Sequence, residues 1–443
     1  MKNVLKIIVA EILAFTARGV IRRYKPRIVM VTGSVGKTST KDAVSAVLSE
    51  RFLVRKSEKS FNSEFGVPFT ILGVKNPWRN PLAWFSIVKN ALALLLLPNH
   101  YPNMLVLEVG ANKPGDLSRI LRIATPDAVV VTRLPEIPVH VEAYASPEAV
   151  REEEFSPALA LSTGAPLLIS ADDSYALDRA VRVSTNIISY GVEDDAATRI
   201  SDVGFYEKDG KVAGMRAKVS MNGEEGNIVV NDSVGATQLL PAAAALATAS
   251  AFGVPVNEAL KALESYEPPA GRGRLLRGKN SSVIIDDSYN ASPVAVEEAL
   301  ATLKSFPNAK RRIAVLGDML ELGRYSVMEH ERIGALASES ADIIVAVGIR
   351  ARAFATAHES TNVMLFDNAS SATLTLPDLI KEGDVILVKG SQSVRTERIV
   401  EALLANPSDI SLLVRQEREW KKSCDPTRNR TALPSLRRMC PSR

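Results

Sequence analysis

The chain has 443 residues, 46% of them apolar and 23% charged, which predicts roughly two to four folded domains and excludes a small stapled scaffold, wholesale disorder and a multi-span membrane protein. The net charge of +4 is concentrated at one end: Lys421 to Arg443 holds seven Lys or Arg against one Asp, so the rest of the chain is slightly acidic and no nucleic-acid partner is expected. Both cysteines, Cys424 and Cys440, also lie in that tail, which leaves a cysteine-free body suited to a reducing compartment.

In chain order, residues 1–26 read as an amphipathic helix, with Leu5, Ile8, Val9, Ile12 and Phe15 at helical spacing and Lys6, Glu11 and Arg18 breaking any signal-peptide core. Ile28 to Gly33 (IVMVTG) is a buried strand entering a glycine turn, and a helix follows through Leu48. Leu82 to Leu97 is apolar over 16 residues but holds Lys89 and is short of the roughly 20 that a spanning helix needs. Both apolar stretches read as packing helices. The alternative is peripheral membrane contact through residues 1–24 and 82–97, for which Trp84, Phe85, Arg22 and Arg23 speak.

Met104 to Gly110 and Asp127 to Thr132 are further strands, with a helix start at Lys113 to Asp116 between them, and Tyr190 to Val230 alternates like an antiparallel flap attached to the sheet. An Ala-rich helix runs from Pro241 to Ala251, and Glu264 to Arg274 (ESYEPPAGRGR) reads as a linker. The strand-helix rhythm then restarts at Ser282 to Ser288, Arg312 to Asp318, Asp342 to Gly348 and Asp384 to Ser391. The expected class is α/β: a P-loop mononucleotide-binding domain over 27–268, a smaller Rossmann-like domain over 269–420, and a basic tail over 421–443 without fixed structure.

Gly33-Ser34-Val35-Gly36-Lys37-Thr38, with Ser39 after it, sits between a predicted strand and a predicted helix. Loop and helix-start amides there cradle phosphate oxygens, the lysine reaches the outer phosphates, and the threonine hydroxyl suits Mg²⁺. Only two residues separate the glycines, fewer than in the common P-loop. Glu108 closes an apolar strand where a metal-binding carboxylate is needed, and taken alone is also an ordinary strand-end acid. His140 follows the next strand by a short loop; it reads either as a metal ligand or as a structural histidine.

TGSVGKTSTKD, SFNSEFGVPFTIL (Ser60 to Leu72), LEVGANKPGD (Leu107 to Asp116), GRGRL (Gly271 to Leu275), IIDDSYNASP (Ile284 to Pro293), VLGDMLELG (Val315 to Gly323) and VKGSQSVRTE (Val388 to Glu397) resemble the Mur ligases in order and spacing. DDSYNASP, GDMLELG and the later Ser326 and His330 are most similar to the branch that adds D-Ala-D-Ala. The resemblance implies ATP-dependent amide-bond formation through an acyl phosphate, with a muropeptide precursor and D-Ala-D-Ala as substrates, in the cytoplasm or at the inner membrane surface, by a monomer.

By the family pattern, Lys37, Arg272 and Arg274 would meet phosphates, and Asn290 and Asp318 the adenosine. Asn62, Lys389 and Ser391 would face substrate, Thr38 would bind a first Mg²⁺, and Glu108 with His140 a second. Three departures set further expectations. The phosphate loop starts at Gly33, so the domain that usually grips the uridine nucleotide is expected to be lacking. A gap-free reading places Glu154 where the family has a carbamylated lysine; it then supplies a metal-binding carboxylate, or it belongs to a solvated face with Glu152 and Glu153, or a one-turn slip puts Arg151 there. GATQLLPA (Gly235 to Ala242) lacks the histidine and asparagines of the family, which puts nucleotide contacts from that helix in doubt. A related ligase with another acceptor, and a catalytically weak nucleotide-binding partner protein at a membrane, share most of these features.

Overall fold

The computed structural model describes residues 2–58, 61–77, 80–183, 185–356, 362–417 and 420. The basic tail at 421–443, expected to lack structure, lies outside the described residues, as does Ser60. The described residues of Met1–Tyr206, Met215–Asn231 and Ala236–Glu267 pack as one unit, and those of Glu207–Gly214, Asp232–Gly235 and Pro268–Arg443 as a second.

The first sheet has nine strands: β1 (Arg27–Thr32), β2 (Val54–Lys56), β3 (Met104–Glu108), β4 (Ala128–Val131), β5 (Pro166–Ser170), β6 (Asn186–Gly191), β7 (Thr198–Lys208), β8 (Lys211–Met221) and β9 (Glu224–Asn231). Their spatial order is β2-β3-β1-β4-β5-β6-β7-β8-β9, and the pairs from β2 through β7 are parallel. β1, β3 and β4 are runs of Val, Ile, Leu and Met buried on both faces, as a helix-covered parallel sheet demands. The segment expected as a flap attached to the sheet forms β7 to β9, which extend that sheet at one edge.

Around this sheet lie α1 (Lys2–Tyr24), α2 (Lys37–Leu48), α3 (Gly66–Leu72), α4 (Pro81–Leu96), α5 (Asp116–Leu121), α6 (Pro147–Leu159), α7 (Ser174–Ala180), α8 (Leu240–Ala251) and α9 (Val256–Glu264). In α8, Ala242 to Ala245 and Ala247 are buried, and these small side chains let it pack closely on α2, which fixes the helix that follows the phosphate loop. The core joins Leu13, Ala17 and Val20 of α1 and Ile87, Ala91 and Leu94 of α4 to the inner residues of β1, β3 and β4.

The second sheet comprises β10 (Arg274–Arg277), β11 (Val283–Asp287), β12 (Arg311–Gly317), β13 (Ile343–Val347), β14 (Asn362–Phe366) and β15 (Asp384–Lys389), ordered β10-β11-β15-β12-β13-β14. Only β10 runs antiparallel, against β11. The carboxyl ends of β11, β15, β12 and β13 therefore line one edge, where open α/β sheets place their ligands.

Candidate active site

β1 ends at Thr32 and α2 begins at Lys37, so Gly33 to Gly36 form the strand-to-helix turn. Gly33 (φ +118°) and Gly36 (φ +88°) are both left-handed, and a Cβ on Gly33 would overlap the Thr132 hydroxyl. The loop is moored to the chain after β4, with the Ser34 and Val35 amides donating to the Arg133 carbonyl at 2.9 and 3.3 Å. Those two amides are committed. What remains for an anion is the helical half of the motif, because no side chain caps α2 and its first-turn amides have no intrahelical acceptor.

Glu154 faces this loop from α6. Its carboxylate lies 3.6 Å from Lys37 Nζ and accepts a hydrogen bond from the Ser34 hydroxyl, while its carbonyl accepts from Thr32 Oγ1 at 2.6 Å. Lys37 Nζ also donates to the Gly33 and Ser34 carbonyls, the latter at 3.3 Å. The neighbours of Glu154 go elsewhere: Glu152 pairs with Arg179, Glu153 accepts from the Gly115 and Leu117 amides at the start of α5, and Arg151 pairs with Glu148 over the Tyr175 ring. Of the three glutamates only Glu154 turns to the loop, and at 1% exposure it does not belong to a solvated face.

Glu108 closes β3 directly beside Val31 of β1. Its amide donates to Ser57 Oγ at 3.1 Å, and its carboxylate is 3.8 Å from the buried Lys41, which donates to the Ser57 carbonyl at 2.9 Å. Thr38 is buried in the first turn of α2. The Asn62 carbonyl accepts from the Gly110 amide at 3.2 Å, and a Cβ on Gly110 would stand 3.1 Å from Asn62 Nδ2 and 3.4 Å from Lys37 Cε, so this glycine brings Asn62 and Lys37 together. His140 caps a short 3-10 turn with φ 68° and is half-buried.

Among the described residues, no group of three His, Cys, Asp or Glu converges closely enough to hold a metal ion. Glu108 and Glu154 do lie on strands and helices that meet the phosphate loop, and a threonine hydroxyl with carboxylates is the hard-oxygen donor set of Mg²⁺, which takes one or two carboxylates plus phosphate oxygens. The residues fit such an ion when a nucleotide completes the shell. In the GATQLLPA segment, Gln238 is buried and its Oε1 has no hydrogen-bond partner.

In the second unit, Lys389 is buried at the end of β15 and its ammonium reaches Asp287 at 2.6 Å and the Asn290 carbonyl at 3.1 Å. Ser391 accepts from the Leu320 amide at 2.9 Å and donates its own amide to the Asp318 carbonyl at 3.1 Å. Asp318 accepts from the Ala351 amide at 2.7 Å and packs on Gly348 (φ +122°), where any Cβ would overlap the carboxylate. Behind this loop, buried His330 accepts the Met319 amide at Nε2 (3.0 Å), and Nδ1 lies 2.6 Å from the Ser326 carbonyl, which assigns the proton to Nδ1; burial pulls its pKa below the ordinary value. The Arg272 guanidinium stacks over Tyr289 at 4.1 Å, and Arg274 opens β10 opposite Asp286. Burial, against hydrogen bonds from Ser288, pushes the Asp286 carboxyl up to about 6.

Sequence reasoning missed Lys41, Ser57 and Gly348. Lys41 was findable as a cation on the core face of α2, four residues after Lys37, whereas Ser57 and Gly348 become significant only when Glu108 and Asp318 are placed.

Residues 31–249 match the Mur ligase middle domain, and residues 271–392 the glutamate ligase domain of the Mur ligases. The UDP-N-acetylmuramoyl-tripeptide–D-alanyl-D-alanine ligase of Bacillus subtilis is 28% identical over 397 residues, which cover 88% of this chain and 79% of that protein. The MurF ligase of Thermotoga maritima, solved in complex with ADP, superposes with a TM-score of 0.73 at 26% identity, covering 89% of this chain and 83% of that one. The MurF of Acinetobacter baumannii, at 21% identity and a TM-score of 0.74 over 90% and 80% of the two chains, shares the fold. With both domains matched in order along the chain, it belongs to the Mur ligase family.

Proposed function

We propose that the chain is a cytoplasmic ATP-dependent amide ligase that joins D-Ala-D-Ala to a muramoyl-tripeptide in peptidoglycan synthesis. The observation that carries this reading is the loop from Gly33 to Thr38 running into an uncapped helix, with Lys37, Asn62 and Glu154 gathered on it. That arrangement suits binding and neutralising a transferred phosphoryl group.

The acceptor carboxylate attacks the γ-phosphorus, ADP leaves, and an acyl phosphate forms. The amine of the dipeptide then attacks the acyl carbon; the tetrahedral intermediate expels phosphate with the bridging oxygen, and the amine loses its proton as the amide forms. Lys37 would leave the loop carbonyls and Glu154 to meet the γ-phosphate. The first-turn amides of α2 would hold the outer phosphate oxygens, and Arg272 or Arg274 would add positive charge. Mg²⁺ would supply further neutralisation of the phosphoryl group, a first ion held by Thr38 and a second by Glu108 and His140, with Glu154 in the place of the family's modified lysine. Asn290 and Asp318 would contact the adenosine, Asn62 the acceptor, and Lys389 and Ser391 the incoming dipeptide.

The test is phosphate release from Mg-ATP with UDP-N-acetylmuramoyl-tripeptide and D-Ala-D-Ala, each omitted in turn, with mass spectrometry of the product. Release that needs both and yields the pentapeptide nucleotide supports the assignment. Release that needs neither, or ATP binding with no amide product in folded protein, refutes it.

A further inference from the structure

The helices α1 and α4 are buried on one side only. Leu13, Ala14, Ala17 and Val20 of α1, and Ile87, Ala91 and Leu94 of α4, enter the core. The two helices are fastened where their C-terminal ends meet: Arg23 donates to the Leu95 and Leu97 carbonyls, the latter at 3.0 Å, and Tyr24 Oη to the Leu94 carbonyl at 2.9 Å.

On their outer sides, where solvated helices carry polar residues, α4 exposes Phe85, Val88, Leu92 and Leu96, spaced by three or four residues along one stripe. α1 likewise exposes Ile8, Ile12 and Phe15. Phe85, Leu96 and Phe15 are each 71% exposed, so these are whole side chains in water, in contiguous rows rather than the scattered singles of an ordinary surface. No helix among the described residues is long and apolar enough to cross a membrane.

Charge selects the occupant. Over Lys2–Tyr24 and Pro81–Leu96 there are six Lys or Arg and a single acid, Glu11. On α1, Arg22 is exposed on the same side as Phe15, and on α4 Lys89 is exposed between Phe85 and Leu92. Apolar side chains accompanied by Arg22 and Lys89 and by no exposed acid but Glu11 match a layer that is hydrocarbon beneath and anionic above. A two-fold contact between copies of this chain would instead bring like-charged helices face to face.

We propose that α1 and α4 form a docking face for the surface of an anionic bilayer, with Phe15, Phe85, Leu92 and Leu96 entering the headgroup–acyl boundary and Arg22 and Lys89 meeting lipid phosphates. The proposal stands apart from the ligase assignment, since none of these residues touches the phosphate loop.

Co-sedimentation of the full chain with phosphatidylcholine vesicles containing phosphatidylglycerol tests it, against pure phosphatidylcholine. Binding is expected to require phosphatidylglycerol, to weaken in high salt, and to fall about tenfold or more in Phe85→Gln/Leu92→Gln. Both substituted side chains are exposed, so the melting temperature and ATP-dependent turnover without vesicles should stay unchanged. Arg22→Gln should weaken binding less. Absence of binding to the mixed vesicles, equal binding to both vesicle types, or a dimer in sedimentation velocity that Phe85→Gln/Leu92→Gln dissociates would each overturn the proposal, the last by giving the face to a second copy.

Discussion

Replacing Lys37 by methionine separates the two things this lysine does, holding the empty loop and meeting the γ-phosphate. In the structure its ammonium stands 3.6 Å from the Glu154 carboxylate. At an effective dielectric constant of about 20 a pair at that separation attracts with about 4.6 kcal/mol before desolvation is counted. Lys37 keeps 13% of its side chain exposed and Glu154 only 1%, so the carboxylate bears most of the cost of being left alone, and a net coupling of about 2 kcal/mol is expected. Lys37→Met should therefore lower the unfolding free energy by about 2–3 kcal/mol as well as abolish ATP turnover. Adding Glu154→Gln, which keeps the volume and an acceptor for the Ser34 hydroxyl, should restore about 2 kcal/mol of stability without restoring turnover. Urea unfolding of the wild type, both single variants and the double variant, followed by circular dichroism, measures the coupling. A coupling under about 0.5 kcal/mol would show that Glu154 does not hold Lys37 in the empty loop, and near-normal turnover in Lys37→Met would remove the phosphate-loop assignment.

Further outcomes follow from the second unit. Asp286 is protonated more readily folded, at about 6, than at its ordinary 3.8, so the native state binds the extra proton between those values. Stability should therefore fall by about 3 kcal/mol as pH rises through that window, and unfolding of Asp286→Asn measured across it should lose this slope. His330 shifts the other way: its folded pKa lies below the ordinary 6.5, so the stability it confers should be lost as pH falls below 6.5. NMR titration should find the His330 ring neutral, with its proton on Nδ1, at pH values where an exposed histidine is already charged. Gly348→Ala, with φ +122° and a Cβ that overlaps Asp318, should cost about 1–3 kcal/mol and weaken ADP binding measured by calorimetry.

The strands that position the site were legible because their apolar runs are uninterrupted: Ile28 to Thr32, Met104 to Glu108, Ile343 to Val347 and Asp384 to Lys389 each appear where the pattern placed them. β2, β10 and β14 escaped because edge strands are short and half-exposed and lack that signature; β10 begins at Arg274, the last residue of the segment read as linker, and shows itself only in its pairing with β11. Glu154 illustrates the limit more sharply. Three successive glutamates look like a solvated face, and only the rotation of α6 against β1 sends one of them to the phosphate loop and the other two to Arg179 and the start of α5. Committed amides are equally invisible beforehand: GSVGKT promises a full cradle, but the Arg133 carbonyl claims Ser34 and Val35. Likewise, the spacing of Ile8, Ile12 and Phe15 identified α1 as a helix, but not which side packs: those three are exposed, while Leu13, Ala17 and Val20 enter the core.

The central claim is that the chain activates a carboxylate as an acyl phosphate and gives it to an amine. With ¹⁸O in the acceptor carboxylate of UDP-N-acetylmuramoyl-tripeptide, turnover with Mg-ATP and D-Ala-D-Ala should release phosphate carrying one ¹⁸O, seen as an isotope-shifted ³¹P resonance, because the attacking carboxylate oxygen leaves with phosphorus. Phosphate free of ¹⁸O while ATP is consumed would mean that water, not the carboxylate, receives the phosphoryl group, and would contradict the account.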